Sequence, residues 1–402
     1  MKDTVTKRQS TIGVSALVAL VGVGAFAGTA AAQQCGGWAA GSPMNGPLYE
    51  HAVAADASRG TVVLFGGYDG NSYLTGTWEW SNGVWVPRTP TISPAGRRLH
   101  RMVYDTVRGR VLLFGGLTST GSIKGDTWEW NGQTGQWTML SAGGGPPARY
   151  SHAMAYDTAR GKAVVFGGLV SASLDDTWEF DSATGTWSER APNTVPTSRH
   201  WSAMEYDPIR GRTLLFAGFS GDRLSDTWEW DGQDWTERHP IIGPPGRAYH
   251  SMAFDPGRGR IVLFGGLGEA YLSDTWEWDP TIGTAGSWLW NSILGPEVRY
   301  GHGLAYAGGA VVMVGGFNGT AYLSDTWELT PPSRANCDGS TATPVLNIAD
   351  FVCFLTRYAA AQTLPAAQQV TDFANCDRST ALPVLNVADF VCFANEYAAG
   401  CQ

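Results

Sequence analysis

Short apolar runs bounded by glycine recur at nearly constant spacing along most of the chain. Five runs end in a glycine pair, at residues 62–67, 111–116, 163–168, 261–266 and 311–316, and a sixth copy at 214–218 has Ala217 in place of the first glycine. Apolar runs of this length between turn residues are typical of buried β-strands. A Thr-Trp-Glu segment follows every run, with its tryptophan at 78, 128, 178, 228, 276 and 327, which defines a repeat of about 50 residues.

Each repeat contains enough patterned sequence for four short strands. A strand such as 152–157 and an Arg-Gly turn precede the apolar run, and a second tryptophan closes most repeats. The sixth repeat lacks this closing strand because Thr330 runs directly into Pro331. Trp38, ahead of the first repeat, supplies the missing pattern, so we predict that residues 37–40 complete the sixth repeat and close a ring. Such closure removes open sheet edges.

The glycine pair, the spaced aromatic strand and the late tryptophan make residues 35–330 resemble the kelch family. The resemblance implies an all-β, six-bladed kelch β-propeller closed by the N-terminal strand, and it implies a binding function, which most kelch domains have. One branch of the family consists of oxidases with a copper–radical site in which a cysteine is cross-linked to a tyrosine. No cysteine occurs between Cys35 and Cys337, so the sequence excludes that chemistry.

Composition agrees with a β-rich, exported protein. The 402 residues include 52 Gly and 18 Trp, which disfavours an all-helical fold, and the formal charge of −9 argues against a nucleic-acid-binding surface. A basic start, an apolar run at 12–27 and alanines up to Ala32 predict a secretory signal over residues 1–32. No other segment has the length and apolar character of a transmembrane helix. We therefore expect a secreted or cell-surface protein with a propeller at 33–330 and a second module at 331–402.

Residues present in every repeat are expected to serve the fold, because a ligand site normally breaks symmetry. The glutamates of the six Thr-Trp-Glu segments are therefore interpreted as partners of repeated arginines, although paired carboxylates could also serve glycoside hydrolysis. Histidine recurs at one strand position, at 51, 100, 152, 250 and 302. We interpret these histidines as structural, each bonding to backbone in its own blade, rather than as metal ligands.

The predicted ligand-binding residues lie at the start of the first strand of each repeat. Arginine occupies one position in repeats two to six, and aromatic residues adjoin it. The kelch resemblance implies that this arginine faces a central pocket for acidic peptide segments, beside rings that could stack on peptide or sugar. The alternative is that each arginine pairs with a neighbouring carboxylate and holds the blades. The predicted set is Arg97, Arg149, Arg199, Arg247, Arg299, Tyr150, Trp201, Tyr249 and Tyr300.

A different repeat, of 39 residues, fills the C-terminal segment. Each copy combines a polar loop with a predicted short helix, at 348–359 or 387–398. The two copies and the final Gly400-Cys401 pair resemble dockerin modules, which bind calcium through half EF-hands and anchor exported proteins to cohesin domains. The resemblance implies a small α-helical, EF-hand-type module with Ca²⁺ ligands at Asn336, Asp338, Ser340, Asn347, Asp350, Asn375, Asp377, Ser379, Asn386 and Asp389.

Calcium binding and disulfide bonds are alternative ways to stabilise this module. Each loop offers two carboxylates, whereas calcium takes six to eight oxygen ligands, and the loop between Ser340 and Val345 is longer than the family pattern. Cys337 and Cys353 have the same spacing as Cys376 and Cys392, which favours one disulfide in each copy, although six cysteines allow 15 pairings. Cys35 and Cys401 remain, either as a pair or with Cys401 as an attachment point.

The sequence thus predicts an exported, non-catalytic binding protein. Its propeller would recognise a protein or glycan, and its tail would bind a cohesin-type partner. One alternative is an enzyme that acts on polysaccharide, with an acid pair among Glu269, Asp222 and Glu297. Another is a purely structural component of a surface layer.

Overall fold

The computed structural model describes residues 37–282, 285–291 and 295–330 of the chain. All regular elements in these residues are β-strands, and none of the described segments forms a helix that could cross a membrane. The predicted signal segment, all six cysteines and the dockerin-like tail with its predicted calcium ligands lie outside the described residues.

Six four-stranded antiparallel sheets, here called blades one to six, form this part of the chain. The first strand, β1 (Trp38–Gly41), belongs to blade six. Blade one contains β2 (Ala52–Asp56), β3 (Thr61–Phe65), β4 (Thr77–Ser81) and β5 (Val84–Arg88). The short strands β6 (Arg97–Arg98) and β9 (Leu117–Thr118) pair with each other beside blade two, which contains β7 (Arg101–Asp105), β8 (Arg110–Phe114), β10 (Thr127–Asn131) and β11 (Gln136–Ser141).

The remaining blades repeat this order along the chain. Blade three contains β12 (Ala153–Asp157), β13 (Lys162–Phe166), β14 (Thr177–Asp181) and β15 (Thr186–Arg190). Blade four contains β16 (Ala203–Asp207), β17 (Arg212–Phe219), β18 (Arg223–Trp230) and β19 (Trp235–Arg238). Blade five contains β20 (Ser251–Asp255), β21 (Arg260–Leu267), β22 (Tyr271–Asp279) and β23 (Ser287–Asn291). Blade six contains β24 (Gly303–Ala307), β25 (Ala310–Val314), β26 (Thr326–Leu329) and β1.

The first strand of every blade lies at the centre of the propeller. The inner strands β2, β7, β12, β16, β20 and β24 contact one another in a closed circle. All five residues of the second strand β3 are buried, because each blade packs against a neighbour on both faces. The core accordingly lies between blades, as where Phe65 of blade one packs with Val111 and Trp137 of blade two.

Strand β1 completes blade six, as the orphan tryptophan predicted. It pairs antiparallel with β26, which places Trp38 opposite Leu329 and Ala40 opposite Trp327. Trp38 is 1% exposed, and its indole Nε1 donates a hydrogen bond of 3.0 Å to Thr275 Oγ1 of blade five. Strands from both ends of the described region therefore close the six-bladed ring.

The closing tryptophan makes the same link to the preceding blade in all six cases. Its indole Nε1 donates to the threonine hydroxyl that opens the Thr-Trp-Glu strand, at 2.8 to 3.1 Å. The pairs are Trp38 with Thr275, Trp85 with Thr326, Trp137 with Thr77, Trp187 with Thr127, Trp235 with Thr177, and Trp288 with Thr227.

The glycine pair after the second strand has a steric cause. Gly67, its second member, has a φ of +101°, and a Cβ there would lie 2.8 Å from His51 Cβ. The equivalent Gly218 keeps a φ of +110°, whereas Ala217 occupies the first position of blade four at a φ of +53°. Ala217 therefore shows that the first position accepts a Cβ in blade four, whereas glycine fills the second position in all six blades.

Candidate binding site at one end of the axis

A ring of backbone hydrogen bonds lies across the propeller axis where the inner strands begin, and we call this the ring end. One residue from each blade donates its N–H to the carbonyl of its counterpart in the preceding blade, at 2.8 to 3.0 Å. All six residues have a positive φ, between 55° and 65°. The ring residues are Glu50, Leu99, Ser151, Trp201, Tyr249 and Gly301. The ring fixes the backbone that carries the predicted aromatic residues.

The five predicted ligand-binding arginines lie inside the blades, with side chains that are 0% exposed. Each guanidinium binds both carboxylate oxygens of the aspartate before the Thr-Trp-Glu segment of its own blade, at 2.6 to 2.9 Å. The pairs are Arg97 with Asp126, Arg149 with Asp176, Arg199 with Asp226, Arg247 with Asp274, and Arg299 with Asp325. The structure therefore corrects the expectation of ligand-facing arginines and favours the alternative, in which they hold the blades.

Blade one shows that the two charges of this pair are replaced together. It has Leu48 at the arginine position and Gly76 at the aspartate position, and Leu48 packs in an apolar cluster with Val314. In blade two, burial alone would raise the pKa of the Asp126 carboxyl, but hydrogen bonds from Arg97 and its charge outweigh burial and hold that pKa below its usual range. Asp126 is therefore ionised, as a bidentate salt bridge requires.

The repeated histidines are buried, but the expected bonds to the backbone of their own blades are not found, because neither ring nitrogen of any of the five makes a hydrogen bond of normal geometry to the described residues. The His100 ring meets Phe65 of the preceding blade edge-on at 5.7 Å between centroids. Burial holds the pKa of His100, His152, His250 and His302 well below 6.5, so these imidazoles are neutral at physiological pH. No group of three or more side chains that could hold a metal ion occurs in the part of the chain that the structure describes.

The Thr-Trp-Glu glutamates of blades one to five pair with arginine, as predicted. Glu79, for example, lies 2.6 Å from both Arg59 and Arg88 and accepts a 2.9 Å hydrogen bond from Trp130 of the next blade. These carboxylates form ion pairs within the propeller and are not available as a catalytic acid pair.

The three acids of the enzyme hypothesis lie on exposed loops of different blades. Asp222 is in the β17–β18 hairpin and Glu269 in the β21–β22 hairpin, whereas Glu297 precedes β24. Asp222 accepts a hydrogen bond from the N–H of Arg223 at 2.7 Å, and Glu297 accepts one from Asn318 at 3.0 Å. No hydrogen bond joins two of these acids within the described ranges.

Aromatic side chains form a continuous cluster at the ring end over blades four, five, six and one. Trp201 stacks on Tyr249 at 4.2 Å between ring centroids, and Tyr249 meets Tyr300 edge-on at 5.3 Å. Tyr300 in turn meets Tyr49 edge-on at 5.3 Å. We call this cluster the aromatic arc; its members are Trp201, Tyr249, Tyr300, Tyr49, Phe317, Tyr322, Tyr68 and Tyr73, with His200, Phe219 and Tyr271 at its edge.

The arc contains three of the four aromatic residues predicted for ligand binding. Trp201, Tyr249 and Tyr300 are half-buried, and Tyr271, which stacks on Tyr300, is 40% exposed. Tyr150 lies in blade three, where its backbone pairs with Leu169, and its ring is not part of the contacts that form the arc. Blades four and five contribute Trp201 and Tyr249 from the ring position, and blades six and one contribute Tyr300 and Tyr49 from the position before it. Blade two has no aromatic residue at either position.

Arg98 is the charged residue of this surface, and sequence reasoning missed it. Its guanidinium lies 5.6 Å from the ring centroid of Tyr68 and 5.1 Å from that of Tyr73, which is cation–π geometry. Arg98 also donates a 2.8 Å hydrogen bond to the buried carboxylate of Glu50. Burial raises the pKa of Glu50, and the charge of Arg98 opposes that rise. The available signal was the break in the repeat, since Arg98 stands where blades one, three and six have tyrosine.

A closed six-bladed β-propeller with an aromatic surface at one end of its axis is a rigid binding scaffold. The chain belongs to the kelch-repeat family, because the model described as the KLHDC2/KLHL20/DRC7 Kelch-repeats domain matches residues 38–192, 73–241 and 175–335. Propellers of this family are typically non-catalytic binding or adaptor domains, which indicates a protein-binding role.

Over a shorter stretch, the chain is similar to Mei4-dependent protein 6 of Schizosaccharomyces pombe (strain 972 / ATCC 24843). The two are 28% identical over 131 residues, which amount to 29% of this chain and 19% of the yeast protein. The chain therefore spans about a fifth of that relative's length.

Proposed function

We propose that the propeller binds a protein partner through the aromatic arc. The observation that carries this proposal is the asymmetric placement of half-buried rings at the ring end, over blades four, five, six and one. Tyrosine, tryptophan and arginine are enriched among the residues that dominate binding energy at protein interfaces. The arc combines these three residue types on a backbone held by the hydrogen-bonded ring.

The rigidity of this surface favours binding. Tyr and Trp bury a large area at low cost in side-chain entropy, and rings that already pack on one another lose little freedom on binding. The Arg98 guanidinium, which Glu50 and two tyrosine rings hold in place, supplies a donor for a carboxylate or carbonyl of the partner. A tyrosine-rich surface with one fixed cation suits an extended peptide segment with an acidic or backbone acceptor, and it could also stack on sugar rings.

We further propose that the protein is exported and anchored. The predicted signal at 1–32 and the dockerin-like repeats at 331–402 support this part of the proposal. The tail would bind a cohesin-type domain and would hold calcium in the 10⁻⁴ to 10⁻³ M affinity range of extracellular modules. Calcium titration of the chain and of its Asp338→Ala, Asp377→Ala variant tests the metal, and non-reducing mass mapping tests the disulfides.

Selection of ligands from a displayed peptide library, beside a glycan array, tests the role of the arc. Ligands selected on the full chain would then be titrated against Trp201→Ser and Tyr249→Leu, which copy Ser151 and Leu99 at the same ring position. We expect each variant to weaken binding by roughly 30-fold, which corresponds to a loss of about 2 kcal/mol at a central aromatic anchor.

Val170→Ala is the matched control, because Val170 is 38% exposed in blade three and lies outside the arc. It should bind as the wild type does. Unchanged affinity of both arc variants, with their unfolding transitions intact, would contradict the proposal. Ligands found only on the glycan array would place the arc's partner among carbohydrates instead of proteins.

A further inference from the structure

A cavity of about 320 Å³ lies along the propeller axis, among the inner strands. We call it the axial cavity. Three of the buried histidines, His51, His250 and His302, line it towards the ring end, and the exposed turn residues Thr106 and Thr158 line it at the opposite end. Its volume falls in the lower range of small-molecule sites. The cavity therefore opens on the face opposite to the aromatic arc.

Two rows of inner-strand positions determine the chemistry of this cavity. The first row follows the repeated histidine position and holds Ala52, Arg101, Ala153, Ala203, Ser251 and Gly303. The second row lies two residues further on and holds Ala54, Val103, Ala155, Glu205, Ala253 and Ala305. Arg101 and Glu205 are thus the charged exceptions in rows of small or apolar residues, and both line the cavity.

Arg101 keeps most of its donors available. Its Nε donates a 3.1 Å hydrogen bond to the carbonyl of His152, and no ion pair joins its guanidinium to a carboxylate of the described residues. Burial lowers the pKa of Arg101 to about 10. Burial, and then the charge of Arg101, also lower the pKa of His51 to about 3. The charge of Glu50, which pairs with Arg98, partly offsets the effect of burial on Arg101, but Arg101 has no salt-bridged carboxylate of its own among the described residues, as each repeated arginine has.

Glu205 lies closer to the open end of the same strand circle. Its Oε1 accepts a 3.2 Å hydrogen bond from the N–H of Tyr206, and it has no basic partner in the part of the chain described. Burial raises the pKa of Glu205 to about 8, so the carboxyl is mostly protonated at neutral pH and can donate a hydrogen bond. The cavity therefore has a cationic group near its closed end and a neutral donor nearer its mouth.

We propose that the axial cavity binds a small organic carboxylate, with its carboxylate on Arg101 and its apolar chain among the alanine and methionine side chains of the inner strands. The guanidinium fork matches a carboxylate in a bidentate geometry. Met102, Met154, Met204 and Met252 line the cavity and adapt to an aliphatic chain. A polar group at the far end of the ligand would meet Glu205. This site is independent of the aromatic arc.

Calorimetric titration of the full chain with acetate, butanoate and hexanoate at pH 7 tests the proposal. We expect affinity to rise with chain length, and a 6-hydroxyhexanoate probe to bind more tightly than hexanoate in the wild type but not in Glu205→Ala. Arg101→Ala should weaken hexanoate binding at least tenfold, and Arg101→Lys should retain part of it. Chloride and sulfate distinguish an organic ligand from an inorganic anion, and both should bind more weakly than hexanoate.

The variants copy residues that other blades already carry, Ala52 for position 101 and Ala155 for position 205, so the fold should accept them. Val170→Ala, at an exposed position of blade three outside the axial cavity, is the control and should bind hexanoate as the wild type does. Lack of binding of all three carboxylates, equal affinity for sulfate, or unchanged hexanoate affinity in both Arg101 variants would overturn the proposal.

Discussion

Arginine serves different purposes inside the blades at the ring end and in the axial cavity. At the ring end, each repeated arginine is fully buried and satisfied by an aspartate of its own blade, as Arg149 is by Asp176. In the axial cavity, an arginine at this strand position, Arg101, occurs in a single blade and forms no salt bridge with a carboxylate of the described residues. This difference indicates that the charges repeated from blade to blade form salt bridges within the fold. Arg101, which breaks the repeat, keeps donors available for a ligand.

Aromatic residues follow the same rule. The closing tryptophans recur in every blade and donate to a threonine of the preceding blade, as Trp137 does to Thr77. Trp201 and Tyr249, in contrast, occupy ring positions that other blades fill with Leu99, Ser151 or Gly301. The hydrogen-bonded ring therefore forms with six different residues, and it does not itself require the aromatic side chains of the arc.

Disrupting strand β1, which closes the ring, should have the largest effect on stability. Trp38→Ala removes a side chain that is 1% exposed, together with its hydrogen bond to Thr275. We expect the free energy of unfolding to fall by about 3 to 5 kcal/mol, as for other buried tryptophans, measured by urea denaturation. Ala39→Ser, at an exposed position of the same strand, is the control and should change stability by less than about 0.5 kcal/mol. A loss below 1 kcal/mol in Trp38→Ala would argue against closure by β1.

Introducing the uncharged residue pair of blade one into blade three tests the role of the repeated charges. Arg149→Leu alone leaves the Asp176 carboxylate without its cation and with the 2.8 Å hydrogen bond from Trp178 Nε1, whereas Arg149→Leu with Asp176→Gly reproduces the Leu48 and Gly76 combination. We expect the double variant to be more stable than the single one by about 2 kcal/mol, because an unpaired buried charge costs more than its removal. Thermal and urea unfolding of both variants measure this difference. A double variant less stable than the single one would mean that the aspartate has another structural role.

The fold was largely predictable because six copies of one pattern fix the phase of every strand. Even the closure of the ring by β1 could be inferred, since Trp38 matches the closing tryptophan that the sixth repeat lacks. The direction of the repeated arginines could not be derived from their position alone, because their aspartate partners lie 26 to 29 residues further along the chain. A comparison among repeats contained the signal, since blade one lacks both members of the pair. Arg101 and Glu205 could not be recognised from the repeat pattern, because each of them occurs in one blade only.

A pH-dependent effect on stability is expected from Glu205. Burial raises the pKa of Glu205 to about 8 from an ordinary value of 4.5, so the folded protein holds this proton more tightly than the unfolded chain does. The contribution is therefore fully present below about pH 4.5 and is lost as pH rises to about 8, by at most about 1.4 kcal/mol per pH unit. Urea unfolding of the wild type and of Glu205→Ala from pH 5 to pH 8 measures it. The variant should gain stability relative to the wild type with rising pH, and parallel curves would exclude a raised pKa.

Unfolding of Arg149→Ala and Arg101→Ala, measured side by side in urea at pH 7, tests most directly whether repeated charges build the fold while unrepeated ones are left for ligands. Arg149→Ala should lose about 3 to 5 kcal/mol, because it leaves a carboxylate unpaired in a buried pair. Arg101→Ala should remain within about 1 kcal/mol of the wild type, because no carboxylate of the described residues forms a salt bridge with it and Glu50, which its charge reaches, keeps its salt bridge to Arg98. Equal losses in the two variants would contradict the account.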